Sequence, residues 1–304
     1  MGLAADAAAG AGFLGWGHLL IGTEGKGAVM AVAMVTGASR GLGRALAGEL
    51  AARGWDLVLS ARGAGALEEA AAELDKGGGR VVAVPGDVSS AAHRAALVAA
   101  ARELGGLDLL VNNAGVLGAE PLVPLAEHAL DGLREAFEVN VVGPLGLLQE
   151  GLPLLRASAA GAVLNISSDA AVVPYATWGA YGATKAAGDL MSAVLAVEEP
   201  GLRVWWADPG SMRTRMMAAA EPGEDLAGLP APEEVAPVLL GLLERGLPSG
   251  RYTAERLAAG GAVAEGAAAA SADDAGGEPR ADGAPGEAAH GPAGAPASSA
   301  EAAL

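Results

Sequence analysis

The sequence predicts an α/β fold in which a doubly wound parallel sheet lies between two layers of helices. Three observations predict it. Short apolar runs alternate along the chain with helical stretches, which is typical of parallel strands joined by crossover helices. A glycine-rich segment at 36–43 follows the first apolar run. Polar residues such as Ser168 follow later runs, at the edge where parallel sheets carry their ligand crevice.

Composition excludes several classes of function. The 304 residues suffice for one large domain with tails, and a hydrophobic fraction of 52% supplies a sizeable core. Because no cysteine occurs, disulfides and thiolate chemistry are excluded and a cytoplasmic location is favoured. The four histidines are scattered, so we expect no metal site. A net charge of −17 leaves no basic patch for a nucleic acid.

The two ends of the chain differ from its middle. Residues 1–29 are rich in Ala and Gly, and their apolar patch at 13–21 is too short for a membrane span of roughly 20 residues. Residues 259–304 consist mainly of Ala, Gly, Pro, Ser and acids, a composition that cannot bury a core. We therefore expect disordered extensions at 1–29 and 259–304 around one domain at 30–258, with no membrane partner.

Local patterns define each element of this domain. Its predicted strands are 31–35, 56–60, 80–84, 107–111, 162–167, 202–207 and, least supported, 251–253. The first predicted helix follows the glycine segment and ends at about 53. The other predicted helices cover 64–76, 87–104, 126–155, 179–197 and 233–245. Glycines at 77–79 end the second helix, and the 87–89 segment supplies caps for the third. Pro144 and Pro153 are predicted to kink or break the long fourth helix.

The glycine segment predicts a phosphate site. Gly37, Gly41 and Gly43 lie between a strand and a helix with the spacing G-x3-G-x-G. A turn this tight needs residues without Cβ, and its amides with the helix N-terminus suit a pyrophosphate. The alternative is a tight strand-to-helix turn that binds nothing.

Two arginines indicate which dinucleotide would bind. Arg40 lies in the glycine segment, and Arg62 follows the second strand. An enzyme for NAD places a carboxylate at that strand end, against the ribose 2′-hydroxyl. Because Ala61 and Arg62 stand there instead, a 2′-phosphate is favoured, and NADP with it over NAD. The alternative is that both arginines are ordinary surface residues.

Ser168, Tyr181 and Lys185 form the candidate catalytic set. Tyr181 and Lys185 are four residues apart, so on a helix they share one face. A hydroxyl, a phenol and an amine at a ligand crevice favour carbonyl chemistry. The ordinary pKa of a phenol is about 10, and we expect the ammonium to lower it so that the proton moves both ways near neutral pH. The alternative is a core tyrosine beside a surface lysine.

Together these segments resemble the short-chain dehydrogenase/reductase family, in its single-domain Rossmann form, over about 31–253. Ser168 lies thirteen residues before Tyr181, the family's usual separation. The family's closing Asp-Gly-Gly is not visible after Thr253, so the sequence does not establish the last strand or a tetramer contact built on it. The resemblance is carried by TGASRGLG (36–43), Asp87, NNAG (112–115), Asn140, Ser168, YGATK (181–185) and PGSMRT (209–214).

The resemblance implies a role for each matching residue. Tyr181 would be the acid/base, Lys185 would bind the nicotinamide ribose, Ser168 would polarise the carbonyl and Asn140 would join a proton relay. Local readings remain open for two positions, because Asn140 could bond within its helix and Asp87 could be a helix cap. The implied cofactor-binding residues are Gly37, Ser39, Arg40, Gly41, Leu42, Gly43, Arg62, Asp87, Val88, Asn113, Ala114, Gly115, Tyr181, Lys185, Pro209, Gly210, Met212 and Thr214.

The sequence therefore predicts an NADP(H)-dependent oxidoreductase that interconverts a carbonyl and a secondary alcohol. Trp178, Tyr175 and a lid at 211–230 that contains Met212, Met216 and Met217 would surround a small-molecule substrate. The alternative is that Trp178 and the methionines are ordinary packing residues. One alternative is a non-catalytic NADP-sensing regulator on the same fold, and another is a peripheral membrane protein. The helices at 126–155 and 179–197 could pair with their own copies, so we expect a homodimer or homotetramer.

Overall fold

Seven parallel strands form one sheet in the computed structural model, which describes residues 30–261 and residue 264. The strands are Val32–Thr36 (β1), Asp56–Ala61 (β2), Val81–Pro85 (β3), Leu109–Asn112 (β4), Ala162–Ile166 (β5), Arg203–Asp208 (β6) and Gly250–Thr253 (β7). Their order is β3-β2-β1-β4-β5-β6-β7. The predicted extension at 1–29 lies outside the described residues, as does the predicted tail except for 259–261 and 264.

Helices cover both faces of the sheet and complete three layers. They are Gly41–Ala52 (α1), Ala64–Leu74 (α2), Ala91–Leu104 (α3), Leu130–Phe137 (α4), Gly143–Ala157 (α5), Gly179–Glu198 (α6), Arg215–Ala220 (α7), Pro232–Glu244 (α8) and Ala254–Ala258 (α9). One core contains Leu46 of α1 and Leu239 of α8, and the other contains Leu97 of α3. Met34 and Val35 of β1 belong to opposite cores because side chains alternate along a strand. The predicted doubly wound α/β fold is confirmed.

The long helix predicted at 126–155 is instead three consecutive segments. After α4 the chain forms a π-helical turn, Glu138–Val142, and then α5. Pro144 lies in the first turn of α5, where its missing N–H is tolerated. Of the kink or break predicted at Pro153, a break does not occur, since α5 continues through this residue to Ala157. The π-turn is the actual interruption, and it brings Asn140 into the interior.

The last strand, which the sequence does not establish, is present. β7 pairs in parallel with β6 along its whole length, from Gly250 beside Trp205 to Thr253 beside Asp208. Trp205 is fully buried, and its indole Nε1 donates to the Leu247 carbonyl just before β7. The Trp205 side chain of β6 therefore fixes the segment that leads into β7.

Candidate active site

The carboxyl ends of the strands β1 to β6 surround one cavity of about 960 Å³. Ligand pockets of proteins typically have roughly 300–1,000 Å³. The cavity lies beside the reversal of strand order between β1 and β4, where open parallel sheets bind their ligands. Every predicted site residue lines it except Gly43 and Asn140.

The loop between β1 and α1 requires glycine for two reasons. Gly37 and Gly41 have φ angles of 69° and 54°, in the left-handed region that favours glycine. A Cβ on Gly43 would lie 2.4 Å from both Asn113 Nδ2 and the Gly37 carbonyl oxygen. Asn113 Nδ2 also donates to the Thr36 carbonyl at 2.9 Å, which fastens the loop to the end of β4. The backbone amides at the start of α1 are thereby held open to the cavity, as an anion site needs.

Arg40 and Arg62 lie at the same end of the cavity. Arg40 directly precedes α1 and is exposed, and Arg62 directly follows β2. The Arg62 side chain is 64% exposed and lies 3.9 Å from Glu135. Both guanidinium groups thus combine access to the cavity with access to solvent, and β2 ends without a carboxylate.

Asp87 is not the cap of the following helix. That helix, α3, begins at Ala91, and its N-cap is Ser90, whose Oγ accepts from the His93 amide. The Asp87 carboxylate instead accepts hydrogen bonds from the backbone amide and the hydroxyl of Ser89, at 2.9 and 2.7 Å. Burial opposes its ionisation, but these bonds and the nearby Arg62 charge lower the pKa of Asp87. An ionised acceptor therefore stands at the cavity wall.

Ser168, Tyr181 and Lys185 come together at the opposite end of the cavity. Ser168 follows β5 by two residues, and α6 presents Tyr181 and Lys185 on one face. Lys185 Nζ lies 5.5 Å from the centre of the Tyr181 ring and donates to the Ile166 carbonyl at 2.7 Å. The predicted catalytic set is therefore one cluster in space.

The prediction that the Lys185 ammonium lowers the pKa of Tyr181 is wrong for this structure. Burial raises the pKa of the Tyr181 phenol, and the Asp208 and Asp169 carboxylates raise it further. The Lys185 ammonium, which donates to the Ile166 carbonyl, does not reverse this rise. Burial also lowers the pKa of Lys185 to about 8, against the attraction of Asp189.

Asn140 lies behind the cavity wall, and its side-chain amide is already occupied. Its Nδ2 donates to the Val116 carbonyl and to Thr184 Oγ1, and its Oδ1 accepts from the Val116 amide. These bonds tie the π-turn to α6 and to the loop after β4. They differ from the purely local bond considered as an alternative, because their partners are 24 and 44 residues away.

The remaining wall comes from the segment after β6. Pro209, Gly210 and Met212 line the cavity, and Thr214 caps α7 by accepting from the Met217 amide at 3.2 Å. On the substrate side, the rings of Trp178 and Tyr181 meet edge to face with their centres 5.7 Å apart. Ala220 of α7 and Leu117 are buried against Tyr181 in a small apolar cluster. The lid segment thus covers the phenol directly.

Four charged residues near the site escaped the sequence analysis. Asp169 accepts from Ser168 Oγ at 3.0 Å and from the Tyr175 hydroxyl at 2.8 Å. Asp208 ends β6 beside it. Burial raises the pKa of Asp208 against the hydrogen bond from the Gly210 amide, and the Asp169 charge adds to the rise. The only signal in the sequence was the position of both acids at strand ends. Asp189 and Arg251, a buried pair, gave no signal at all.

The part of the chain that the structure describes contains neither a metal-binding group of side chains nor a helix that could span a membrane. Within residues 30–261 and 264, His, Asp and Glu side chains form no group of three or more arranged to hold a metal ion. Over the same residues, no helix has the length and apolar character that crossing a bilayer requires.

Comparisons with known sequences agree with the geometry of the cavity. A family model described as short chain dehydrogenase matches residues 31–225. The sepiapterin reductase of Rattus norvegicus is 38% identical over 202 residues, covering 62% of this chain and 77% of the relative. The uncharacterized oxidoreductase YciK of Escherichia coli K12 is 33% identical over 222 residues, covering 70% of this chain and 85% of the relative.

Solved structures give the same result. A short-chain dehydrogenase of Shigella flexneri in complex with NADP superposes with a TM-score of 0.69 and 30% identity, over 76% of this chain and all of the other (100%). An alcohol dehydrogenase of the archaeon Thermococcus sibiricus, in complex with 5-hydroxy-NADP, has a TM-score of 0.67 and 29% identity, over 74% of this chain and 95% of the other.

Proposed function

The chain belongs to the short-chain dehydrogenase/reductase family of NAD(P)-dependent enzymes, and we propose that it interconverts a carbonyl compound and a secondary alcohol with NADP(H). One observation carries the proposal. Ser168, Tyr181 and Lys185 form one end of a cavity whose other end is the glycine loop with Arg40 and Arg62. A dinucleotide laid along this cavity would bring its reactive ring to the phenol.

The residues present fit NADP(H). The glycine loop leaves a cradle that a Cβ on Gly37 or Gly43 would disturb, and α1 supplies amides for a pyrophosphate. Arg40 and Arg62 would neutralise a 2′-phosphate, which supports NADP over NAD, as do the NADP complexes of the structural neighbours. The other residues proposed to touch the cofactor are Ser39, Gly41, Leu42, Asp87, Val88, Asn113, Ala114, Gly115, Pro209, Gly210, Met212 and Thr214.

The side chains at the other end would handle the proton. Bound NADPH would supply hydride to the carbonyl carbon, and the oxygen would gain negative charge. Tyr181, protonated at neutral pH, would donate its proton there, and Ser168 would be a second donor. Lys185 would hold the nicotinamide ribose. Asn140 would take part in a relay only through its backbone carbonyl, because its side-chain donors are committed.

The surface of two helices supports a homodimer. Leu190, Val194 and Val197 of α6 repeat at helical spacing and are exposed, and so are Val142 at the end of the π-turn and Leu145 of α5. An apolar stripe of this kind is buried when a second copy packs against it. We propose the dimer on this face, and a homotetramer would need a further contact elsewhere.

Two further predictions from the sequence concern a regulatory role and the location of the protein in the cell. A non-catalytic regulator, the alternative on the same fold, finds no support in the cavity, which holds the complete candidate catalytic set. A cytoplasmic location stays a prediction from the sequence, and fractionation of producing cells would test it.

A substrate screen tests the proposed function. NADPH consumption is followed with ketones, aldehydes, quinones, keto-esters and sepiapterin, and then with NADH in place of NADPH. We expect turnover of at least one carbonyl class, with higher kcat/KM for NADPH. Tight NADPH binding without turnover on any class would favour the regulatory alternative, and no binding of either nucleotide would refute the proposal.

A further inference from the structure

A buried ion pair lies beneath the catalytic side chains. Arg251 of β7 and Asp189 of α6 approach to 3.1 Å between Nε and Oδ2, and their side chains are only 8% and 14% exposed. Charges so deeply buried are costly unless they are paired and hydrogen-bonded. The roles proposed above use neither residue.

Arg251 also contacts the backbone of Ser168. Its Nη2 donates to the Ser168 carbonyl at 3.0 Å, reaching from the edge strand across β6. The same carbonyl accepts from the Ala171 amide at 3.1 Å, so it is held from two directions. Fixing this carbonyl fixes the part of the chain from which the Ser168 hydroxyl projects into the cavity.

Asp189, the acidic member of the pair, bonds to Ser167 and acts on the charge of Lys185. It lies one helical turn after Lys185, and its Oδ1 accepts from the Ser167 hydroxyl. Its negative charge favours the protonated form of Lys185, whereas burial disfavours it. Burial raises the pKa of Asp189 itself, but the bonds from Ser167 and Arg251 oppose that rise.

We propose that Asp189 and Arg251 act as a positioning pair for the reaction, in which Arg251 holds the backbone of Ser168 and Asp189 keeps Lys185 charged. The inference rests on the proposed function. Besides this pair, the titratable groups around Lys185 are Tyr181 on its own helix, Asp208 at the end of β6 and Asp169 in the loop after β5. None of the variants described next substitutes Asp169 or Asp208, so both carboxylates are present in each of them.

The test compares kcat, KM, the NADPH Kd and the pH dependence of kcat/KM between the wild type and five variants. Arg251→Met should lower kcat about 10- to 100-fold, because a displaced Ser168 no longer meets the carbonyl, and should leave the NADPH Kd unchanged. Asp189→Asn should move the alkaline fall of kcat/KM to lower pH. The sign follows because Lys185 loses its proton as pH rises through a pKa of about 8, and removing Asp189 lowers that pKa further.

Arg251→Lys keeps the charge without the two-pronged guanidinium. It should lower kcat and leave the alkaline limb where the wild type has it. The double variant Asp189→Asn/Arg251→Met removes both charges of the pair together, so it should fold even if Arg251→Met does not. It should still show the low kcat. Wild-type kcat and an unchanged pH profile in the double variant would overturn the inference.

Arg53→Met is the matched control. Arg53 also forms an ion pair between two elements, with its Nε 2.8 Å from Glu244 of α8, but it directly follows α1, at the end far from the glycine loop. Its loss should lower Tm without changing kcat or the pH profile. Failure of the wild type to turn over any carbonyl would defeat the proposed function instead, which separates the two outcomes.

Discussion

At the scale of single residues, Tyr181 shows how burial decides chemistry. The Trp178 ring and the apolar lid cluster enclose its phenol, and two carboxylates, Asp169 and Asp208, act on it. All of these favour the neutral phenol, so near neutral pH it is a proton donor. We therefore expect alcohol oxidation, which needs the phenolate as proton acceptor, to improve as pH rises.

Tyr181→Phe should abolish turnover and keep the cofactor site. General acid catalysis is typically worth about 10²- to 10⁴-fold, so kcat should fall by that factor while the NADPH Kd stays the same. Stopped-flow or steady-state NADPH consumption measures the first, and tryptophan fluorescence measures the second. Tyr252→Phe is the control, because Tyr252 is buried, does not line the cavity and donates its hydroxyl to the Pro248 carbonyl. Retained turnover in Tyr181→Phe would remove the phenol from the mechanism.

Arg62→Ala should weaken NADPH binding and leave NADH binding unchanged. Because the side chain is 64% exposed, its charge is worth about 1 kcal/mol, or about a fivefold rise in Kd. Titration calorimetry with both nucleotides measures the difference, and high salt should reduce it. Arg156→Ala, at an exposed pair with Glu199, is the control. Equal weakening for both nucleotides would contradict a 2′-phosphate contact at Arg62.

At the scale of elements, close approach explains the glycine loop and the π-turn. Helix α1 can start against the loop only because Gly43 has no side chain, and Asn113 fills the space beside it. The π-turn places Asn140 where its amide joins α6 to the loop after β4. The glycine loop thus fixes the position of α1 and the π-turn fixes that of α6, and both helices carry site residues.

Gly43→Ala should impair cofactor binding through the backbone. The new Cβ would lie 2.4 Å from the Gly37 carbonyl oxygen, so the loop or α1 must move. We expect a loss of about 1–3 kcal/mol in the free energy of unfolding and about a tenfold rise in the NADPH Kd. Chemical denaturation and fluorescence titration measure these.

Gly48→Ala, in the same helix, is the matched control for this change. Its Cβ would meet only Leu74, at an ordinary 3.7 Å. It should therefore stabilise the protein by up to about 1 kcal/mol, because alanine favours a helix interior. Equal Kd values for the two variants would show that the loop tolerates a side chain at Gly43.

At the scale of the whole molecule, the same sheet contributes residues to both hydrophobic cores and to the cavity. Its two faces bury separate apolar clusters, and residues at the carboxyl ends of six strands line one cavity. The apolar stripe on α6 is left on the outside, which supports the proposed dimer.

Leu190→Glu combined with Val194→Glu should convert the dimer to a monomer. Two carboxylates facing their copies across a two-fold interface repel each other and lose the burial of apolar area. Sedimentation equilibrium at micromolar protein measures the mass. Val172→Glu, which changes an equally exposed apolar residue in a loop, should leave the dimer intact. A monomeric wild type would refute the proposed interface.

The sequence alone determined the fold class, most strand and helix positions and the identity of the candidate catalytic cluster. These depend on local signals: apolar periodicity, glycines in a turn, and two side chains one helical turn apart. Their order along the chain then implied the α/β sheet and its crevice.

Only the tertiary structure decided the features that depend on burial and on contacts distant in sequence. The direction of the Tyr181 pKa shift required knowing that Asp169, Asp208 and the lid enclose it. The pairing of β7 and the bond between Arg251 and Asp189 join residues far apart in the chain, and 62 residues separate that pair. No local pattern encodes such contacts, because the electrostatic and packing energies that select them arise only when the sheet has formed.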